Sequence, residues 1–348
     1  MGHVLKTTII KIDNQQYELL ESAASLLKAG GLVAFPTETV YGLGAIYTNE
    51  AALLKVFAVK GRPADNPLIL HIWRREQLNE LASEITPKAE RLIKAFWPGP
   101  LTLIFPKQSH VSPVVTAGLD TVAIRMPSHP VARELLRRTN VAVAAPSANL
   151  SGRPSPTRGS HVIEDLDTKI DLIIDAGSCS EGVESTVLSL QESTPIILRP
   201  GSVTIEMLET VLDEKVDLAK PGEVNRPQAP GMKYRHYAPK APAILVEGDN
   251  DLVVREINRL LGLNPPQMKV AVLSTTDNIT KYSNEWVLDM GPIYEPAVIA
   301  RRIYDLLRFC DTLAVEQIYI EGMPAEGIGM AILNRLRKAS GGHIVDVS

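Results

Sequence analysis

The sequence predicts an α/β protein: a first domain built on a mixed, twisted sheet with helices, then a smaller Rossmann-like α/β domain. Three observations carry this. Short apolar runs rich in β-branched residues recur through the first part of the chain, several following one another with no helix between. A Pro-, Gly- and base-rich stretch without apolar period, "DLAKPGEVNRPQAPGMKYRHYAPKAP", interrupts them. Beyond it, strand-like and helix-like patterns alternate regularly. A length of 348 residues suits two domains.

In chain order, "TTIIKI", "LVAFPTE", "PLILHI", "LTLIFP", "TVAIRMP", "VAVAAPSAN", "LIIDAG", "STVLSL" and "PIILRPG" read as strands. Residues Tyr17–Ala29 place Leu19, Leu20, Ala23, Leu26 and Leu27 on one helical face. Ala51–Ala58 and Pro130–Thr139 behave similarly, and Pro87 suits the first turn of another helix. Because strands outnumber helices, a partly antiparallel sheet is expected rather than a strictly alternating parallel one. The first domain is placed at 1–216, a linker at 217–241 and the second domain at 242–348. That second domain reads as strand "AILVEG", a helix around Val253–Leu261, strands "KVAVLS" and "EWVLDM", a helix around Val298–Arg308, strand "QIYIEG" and a last helix around Met330–Lys338.

Composition narrows the function. Hydrophobic residues make up 45% and charged residues 22%, ordinary for a protein with a real core. A net charge of −4 argues against a general phosphate-backbone binder. The two cysteines, Cys179 and Cys310, make no disulfide framework and no zinc spacing. No signal-peptide core and no run long enough to span a bilayer is visible, so a soluble, cytoplasmic protein without a membrane partner is expected.

Polar residues gather at the ends of the apolar runs, where α/β sheets place ligands. Thr37, Glu38 and Thr39 follow "VAF"; Lys60, Arg62 and Asn66 precede "LIL", and His71 ends that run; Arg125 lies in "TVAIRMP"; Ser147 and Asn149 follow "VAVAAP"; Arg199 follows "PIIL". Four cations on sheet edges together make a site for an anionic substrate. Each has a plainer reading. Lys60 and Arg62 also suit a solvated loop, His71 a core position, and Ser147 and Asn149 a turn. Arg125, in an alternating strand, must meet either an acid or an anionic ligand, because an unpaired buried guanidinium is costly. Gly327 and Gly329 before the last helix suit a tight turn as well as an anion. There is no P-loop, no dinucleotide-binding glycine fingerprint and no nucleophile elbow. The residues alone therefore reach a cationic pocket but not a reaction.

The ordered set "FPTETVYGLGA", "VKGRPADNPLILHI", "WPGPLTLI", "VAIRMPSHP", "APSANLSGRPSPT", "GVESTV" and "ILRPGSV" resembles the YrdC-like family across the first domain. The stretches "APGMKYRHYAP" and "GMAILNRLRKA" are similar to its longer, two-domain form. The resemblance implies a nucleotidyltransferase that condenses L-threonine, bicarbonate and ATP, with Mg²⁺, to threonylcarbamoyl-AMP and pyrophosphate. It also implies a downstream complex that transfers the threonylcarbamoyl group to tRNA, without stable tRNA binding by this chain. Carried over by motif, Lys60, Arg62 and Arg125 take catalytic roles. Lys60, Arg62, Asn66, Thr121, Ser147, Asn149, Ser155, Arg199, Arg235 and His236 contact ATP, and Thr39, His71, Arg125 and Ser147 contact L-threonine. The linker is expected to act as a lid that excludes water, restrained by the second domain. Irregularity in "PTRGSHV" leaves the role of Thr157 open. A non-catalytic RNA-binding module is the competing reading.

Overall fold

The computed structural model describes residues 6–13, 16–219 and 236–348. The chain divides into two compact units, the second comprising Gly152–Pro154 together with the described residues from 236 onward.

The first unit carries an eleven-stranded sheet. Its spatial order is Thr8–Lys11, Leu172–Asp175, Val33–Phe35, Gly42–Ile46, Val143–Ala144, Ile69–His71, Thr121–Arg125, Leu101–Pro106, Thr186–Ser189, Ile196–Arg199 and Asp217–Leu218. Parallel and antiparallel neighbours mix, as expected from strands that follow one another without helices. Every strand read from the first-domain sequence is present. Two were not foreseen. "GLGAI" at Gly42–Ile46 holds two glycines and reads as a turn, while Asp217–Leu218 is a two-residue edge pairing with Ile196–Ile197, so the sheet runs past residue 216.

The two faces of this sheet are finished differently. Leu43, Leu70, Leu103, Ile124 and Leu188 point to one face and pack with Leu53, Val56, Leu78, Leu92, Val162 and Leu208 from five helices, forming the major core. On the opposite face, helices Leu20–Lys28 and Pro130–Thr139 cover Val33, Phe35, Ile46 and Val143. The remaining part of that face has its own small apolar cluster, Ile69, Ile104, Ala123, Val187 and Leu198, to which no helix of the described residues contributes. The polar strand residues emerge there.

The second unit is an all-parallel five-stranded sheet, in the order Trp286–Gly291, Val270–Thr275, Gln317–Glu321, Ala243–Gly248 and Ile344–Val347. Its helices are Asn250–Leu263, Pro296–Leu313 and Gly329–Ala339. The last strand was not anticipated; the other elements occupy the expected stretches. Asp249 caps the first helix by accepting from the amides of Asp251 and Leu252. Among the described residues no helix is long and apolar enough to cross a membrane.

Candidate functional site

Register decides which side chains meet. His71 is the strand partner of Arg125, Arg125 of Thr102, Thr102 of Val187 and, across a bulge, Val187 of Arg199. Lateral partners share a face and stand about 5 Å apart per strand. His71, Arg125 and Thr102 therefore form a polar row beside the small apolar cluster. Thr121, four residues before Arg125, lies on the same face about 13 Å away at the other end of its strand.

Arg125 is 3% exposed. Its Nε donates to the Gly99 carbonyl at 3.2 Å and its Nη1 to the Thr39 hydroxyl at 2.9 Å. Its Nη2 lies 2.7 Å from Glu38 Oε1, itself buried. Of the acid or anionic ligand expected at Arg125, the structure shows an acid, Glu38. Thr39 is presented by a tight turn: Thr37 Oγ1 donates to the Val40 carbonyl at 2.6 Å and lies 2.8 Å from the Thr39 hydroxyl. His71 sits edge-on to Phe35 with Nδ1 3.2 Å from the Ile69 carbonyl. Burial, reinforced by the Arg125 charge, depresses its pKa to about 3. It is neutral at physiological pH, so its hydrogen-bond capacity, not its charge, is what it offers.

The loop before His71 begins where a helix is stopped. Gly61, at φ 61°, ends Glu50–Lys60 in the left-handed conformation. The Arg62 amide bonds back to the Phe57 carbonyl, and the Gly61 amide to that of Ala58. This turn separates Lys60 from Arg62. The Lys60 ammonium, 3% exposed, donates to the carbonyls of Ser147 and Asn149 and to Asn149 Oδ1. Three protein acceptors match the three N–H groups of an ammonium. These contacts tie the helix end to the Ser147–Asn149 loop, and the expected phosphate contact of Lys60 is carried forward as a proposal. Ser147 Oγ also donates to Asn149 Oδ1 at 2.6 Å, and Ser147 bridges to Gly42. Arg62 Nη2 donates to the Asn66 and Pro67 carbonyls, closing the loop between them. The Asn66 side chain is 1% exposed, and neither its amide nitrogen nor its amide oxygen has a hydrogen-bond partner. A buried, unsatisfied amide is costly unless a ligand completes it.

The third group comes from the later strands. Arg199 donates to the Ser185 carbonyl at 3.1 Å and to its hydroxyl at 3.0 Å, and the Ser185 hydroxyl lies 2.8 Å from that of Thr102. Gly201 permits this approach: a Cβ there would stand 2.3 Å from the Thr186 amide nitrogen. Ser155 Oγ donates to Glu184 Oε1 at 2.5 Å, both residues being buried. Sequence reasoning missed Thr102 and Ser185. Thr102 was visible as the polar residue between Leu101 and Leu103, and Ser185 lies in "GVESTV", one of the motifs that carry the resemblance.

Arg235 lies outside the described residues. His236 is described in the second unit, where its ring packs against Tyr237, which in turn stacks on Tyr304. No group of three or more His, Cys, Asp or Glu able to hold a metal occurs among the described residues.

Comparison with known proteins supplies the rest. The Sua5/YciO/YrdC family, described as telomere recombination, matches residues 25–201. The threonylcarbamoyl-AMP synthase C-terminal domain matches residues 203–341. A threonylcarbamoyl-AMP synthase of Pyrococcus abyssi is 49% identical over 328 residues, covering 93% of this chain and 95% of that protein. One of Bacillus subtilis is 46% identical over 328 residues, with 94% of each chain covered. The crystal structure of P. abyssi Sua5 complexed with L-threonine superposes with a TM-score of 0.93 at 46% identity, covering 98% of this chain and 100% of that one.

Proposed function

The chain belongs to the two-domain, Sua5-type threonylcarbamoyl-AMP synthases, nucleotidyltransferases that use ATP, and from that premise we propose how its residues divide the work. The reading places L-threonine against Thr39, His71, Arg125 and Ser147. It places the nucleotide against Lys60, Arg62, Asn66, Thr121, Ser147, Asn149, Ser155 and Arg199, with Arg235 and His236 of the linker as further nucleotide contacts. Lys60 also holds the Ser147–Asn149 loop. The linker takes the part of a lid, and the boundaries 1–216, 217–241 and 242–348 stand as proposed, with the first sheet extending to Leu218.

The threonine nitrogen releases a proton and bonds to the carbon of bicarbonate as water leaves, which yields an N-carboxylated amino acid. Its carbamate oxygen forms a bond to the α-phosphorus of ATP as the bond to the bridging oxygen breaks and pyrophosphate leaves with the electron pair. Two anions must approach, so charge neutralisation and in-line positioning dominate, and no covalent enzyme nucleophile is required. Arg62 and Arg199 supply fixed positive charge. Asn66 supplies a buried amide whose two unpartnered atoms a ligand completes. The neutral His71 accepts or donates a hydrogen bond without adding charge.

Mg²⁺ is proposed to arrive on the ATP phosphates. The carboxylates present do not fit a protein cage for it: Glu38 faces Arg125 and Glu184 is engaged by Ser155. No step is routed through the metal. The product is proposed to pass to a complex that modifies tRNA in the cytoplasm.

The observation that carries this division is the row of His71 and Arg125 on adjacent strands, with Thr39 hydrogen-bonded to the arginine. Pyrophosphate release by the purified protein tests it. Release should require ATP, L-threonine and bicarbonate together, and Arg125→Ala should raise the KM for threonine far more than that for ATP. Equal effects on both KM values would count against the placement.

A further inference from the structure

We propose that Glu38 is the acceptor for the α-ammonium group of the substrate amino acid, so that Glu38 and Arg125 together form a receptor for a zwitterion. The inference rests on the reading that puts threonine at Arg125.

Glu38 is 4% exposed, and neither of its carboxylate oxygens has an aligned hydrogen-bond donor. Its 2.7 Å approach to Arg125 Nη2 is a charge contact; that nitrogen also lacks an aligned acceptor. The backbone amides of Glu38 itself and of Ser128 also lie against the carboxylate without aligned geometry. A carboxylate offers about four lone-pair positions, so a buried one whose contacts are all off-line has acceptor capacity left over. Burying it in that state is costly unless something completes it.

The charges say what completes it. His71, His129 and Cys179 lie within electrostatic reach of Glu38. Burial depresses both histidines and pushes the cysteine thiol up to about 12, so all three are neutral at pH 7. The pair therefore has one positive and one negative charge, and no net charge. A simple carboxylic acid bound at Arg125 would leave the site with an excess negative charge beside an unneutralised carboxylate. An α-amino acid carries both signs on neighbouring atoms and can place its carboxylate at Nη2 of Arg125 and its ammonium at Glu38. Although desolvation opposes it, the Arg125 charge holds the Glu38 carboxyl below the usual carboxylate range. Glu38 consequently holds the ammonium as an ion pair and does not take its proton.

Calorimetric binding of L-threonine and of 3-hydroxybutanoate, its analogue without the amino group, to wild type and Glu38→Gln tests this. The variant should lose roughly 10- to 100-fold in threonine affinity while the analogue is unchanged or bound more tightly. Equal losses for both ligands would overturn the proposal and leave Glu38 as a positioning residue for Arg125. Should Glu38→Gln not fold, wild type decides: it must prefer threonine over the analogue by roughly tenfold or more, and equal affinities overturn the idea. Threonine binding that survives Arg125→Ala would sink the underlying placement instead.

Discussion

Two buried glutamates, one in each unit, end up in opposite states. Glu321 ends a central strand of the second unit at 1% exposure, with no cation beside its carboxylate among the described contacts. It accepts from the hydroxyls of Ser274, Thr275 and Tyr282, from the Thr275 amide and from the Asn278 amide group, at 2.6 to 3.2 Å. Glu38 has a cation at 2.7 Å and no aligned donor. Both avoid an isolated buried charge, but only Glu321 is chemically finished. A completed network fixes architecture, since each removed partner orphans the others. An uncompleted one, at Glu38 and Asn66, is a place held for a ligand. The same contrast separates Lys60, whose ammonium meets three protein acceptors, from Arg125, whose Nη2 reaches the Glu38 carboxylate without aligned geometry.

This contrast can be broken or sharpened by substitution. The largest effect is expected at Arg125: Arg125→Ala should lower kcat/KM for threonine about a thousandfold, about 4 kcal/mol of transition-state stabilisation, as read by pyrophosphate release. A loss below about tenfold would place the amino acid elsewhere. Next comes Glu321→Gln, which turns an acceptor into a donor facing donors and should destabilise the second unit by about 2–3 kcal/mol. Denaturant titration would measure this; an unchanged midpoint would mean that the network is not structural.

His71 gives a pH effect of about 1.4 kcal/mol per pH unit at most. Its folded pKa, about 3, lies below the ordinary value of 6.5. Between those pH values the unfolded chain binds the extra proton, so stability falls as pH drops through that window and is unaffected above it. His71→Asn should flatten the slope between pH 6.5 and 4.5, leaving the part contributed by His129, which burial depresses in the same direction, and, towards pH 4.5, by carboxylates held below their ordinary value such as Glu38 and Glu134. A parallel shift of the whole curve would show that His71 does not carry the slope. The smallest stability change is expected at Asn66. Because its amide has no partner to lose, Asn66→Ala should stay within about 0.5 kcal/mol of wild type while nucleotide affinity falls about tenfold. A melting-temperature drop that tracks the loss of affinity would refute the distinction drawn here.

Much of the fold was legible because burial imposes a period. The alternation in "LTLIFP" and "TVAIRMP", and the helical stripe from Leu19 to Leu27, follow from which side chains must leave water. The unforeseen strand Gly42–Ile46 failed that test, since glycines carry no apolar signal and only its neighbours, Val33–Phe35 and Val143–Ala144, make it a strand. Within the site, the residue types were readable because buried cations and amides need partners. The identity of those partners was not readable. Lys60 meets Ser147 and Asn149, while Arg125 meets Glu38, Thr39 and Gly99, far away in sequence.

The sequence by itself thus determined the division into two α/β units, most of the strands and the polar residues gathered at their ends. Only the tertiary structure decided which cation is consumed by protein carbonyls and which is left facing a carboxylate. Local pattern records whether a side chain is buried; hydrogen-bond saturation depends on acceptors that only strand register and loop closure bring within reach.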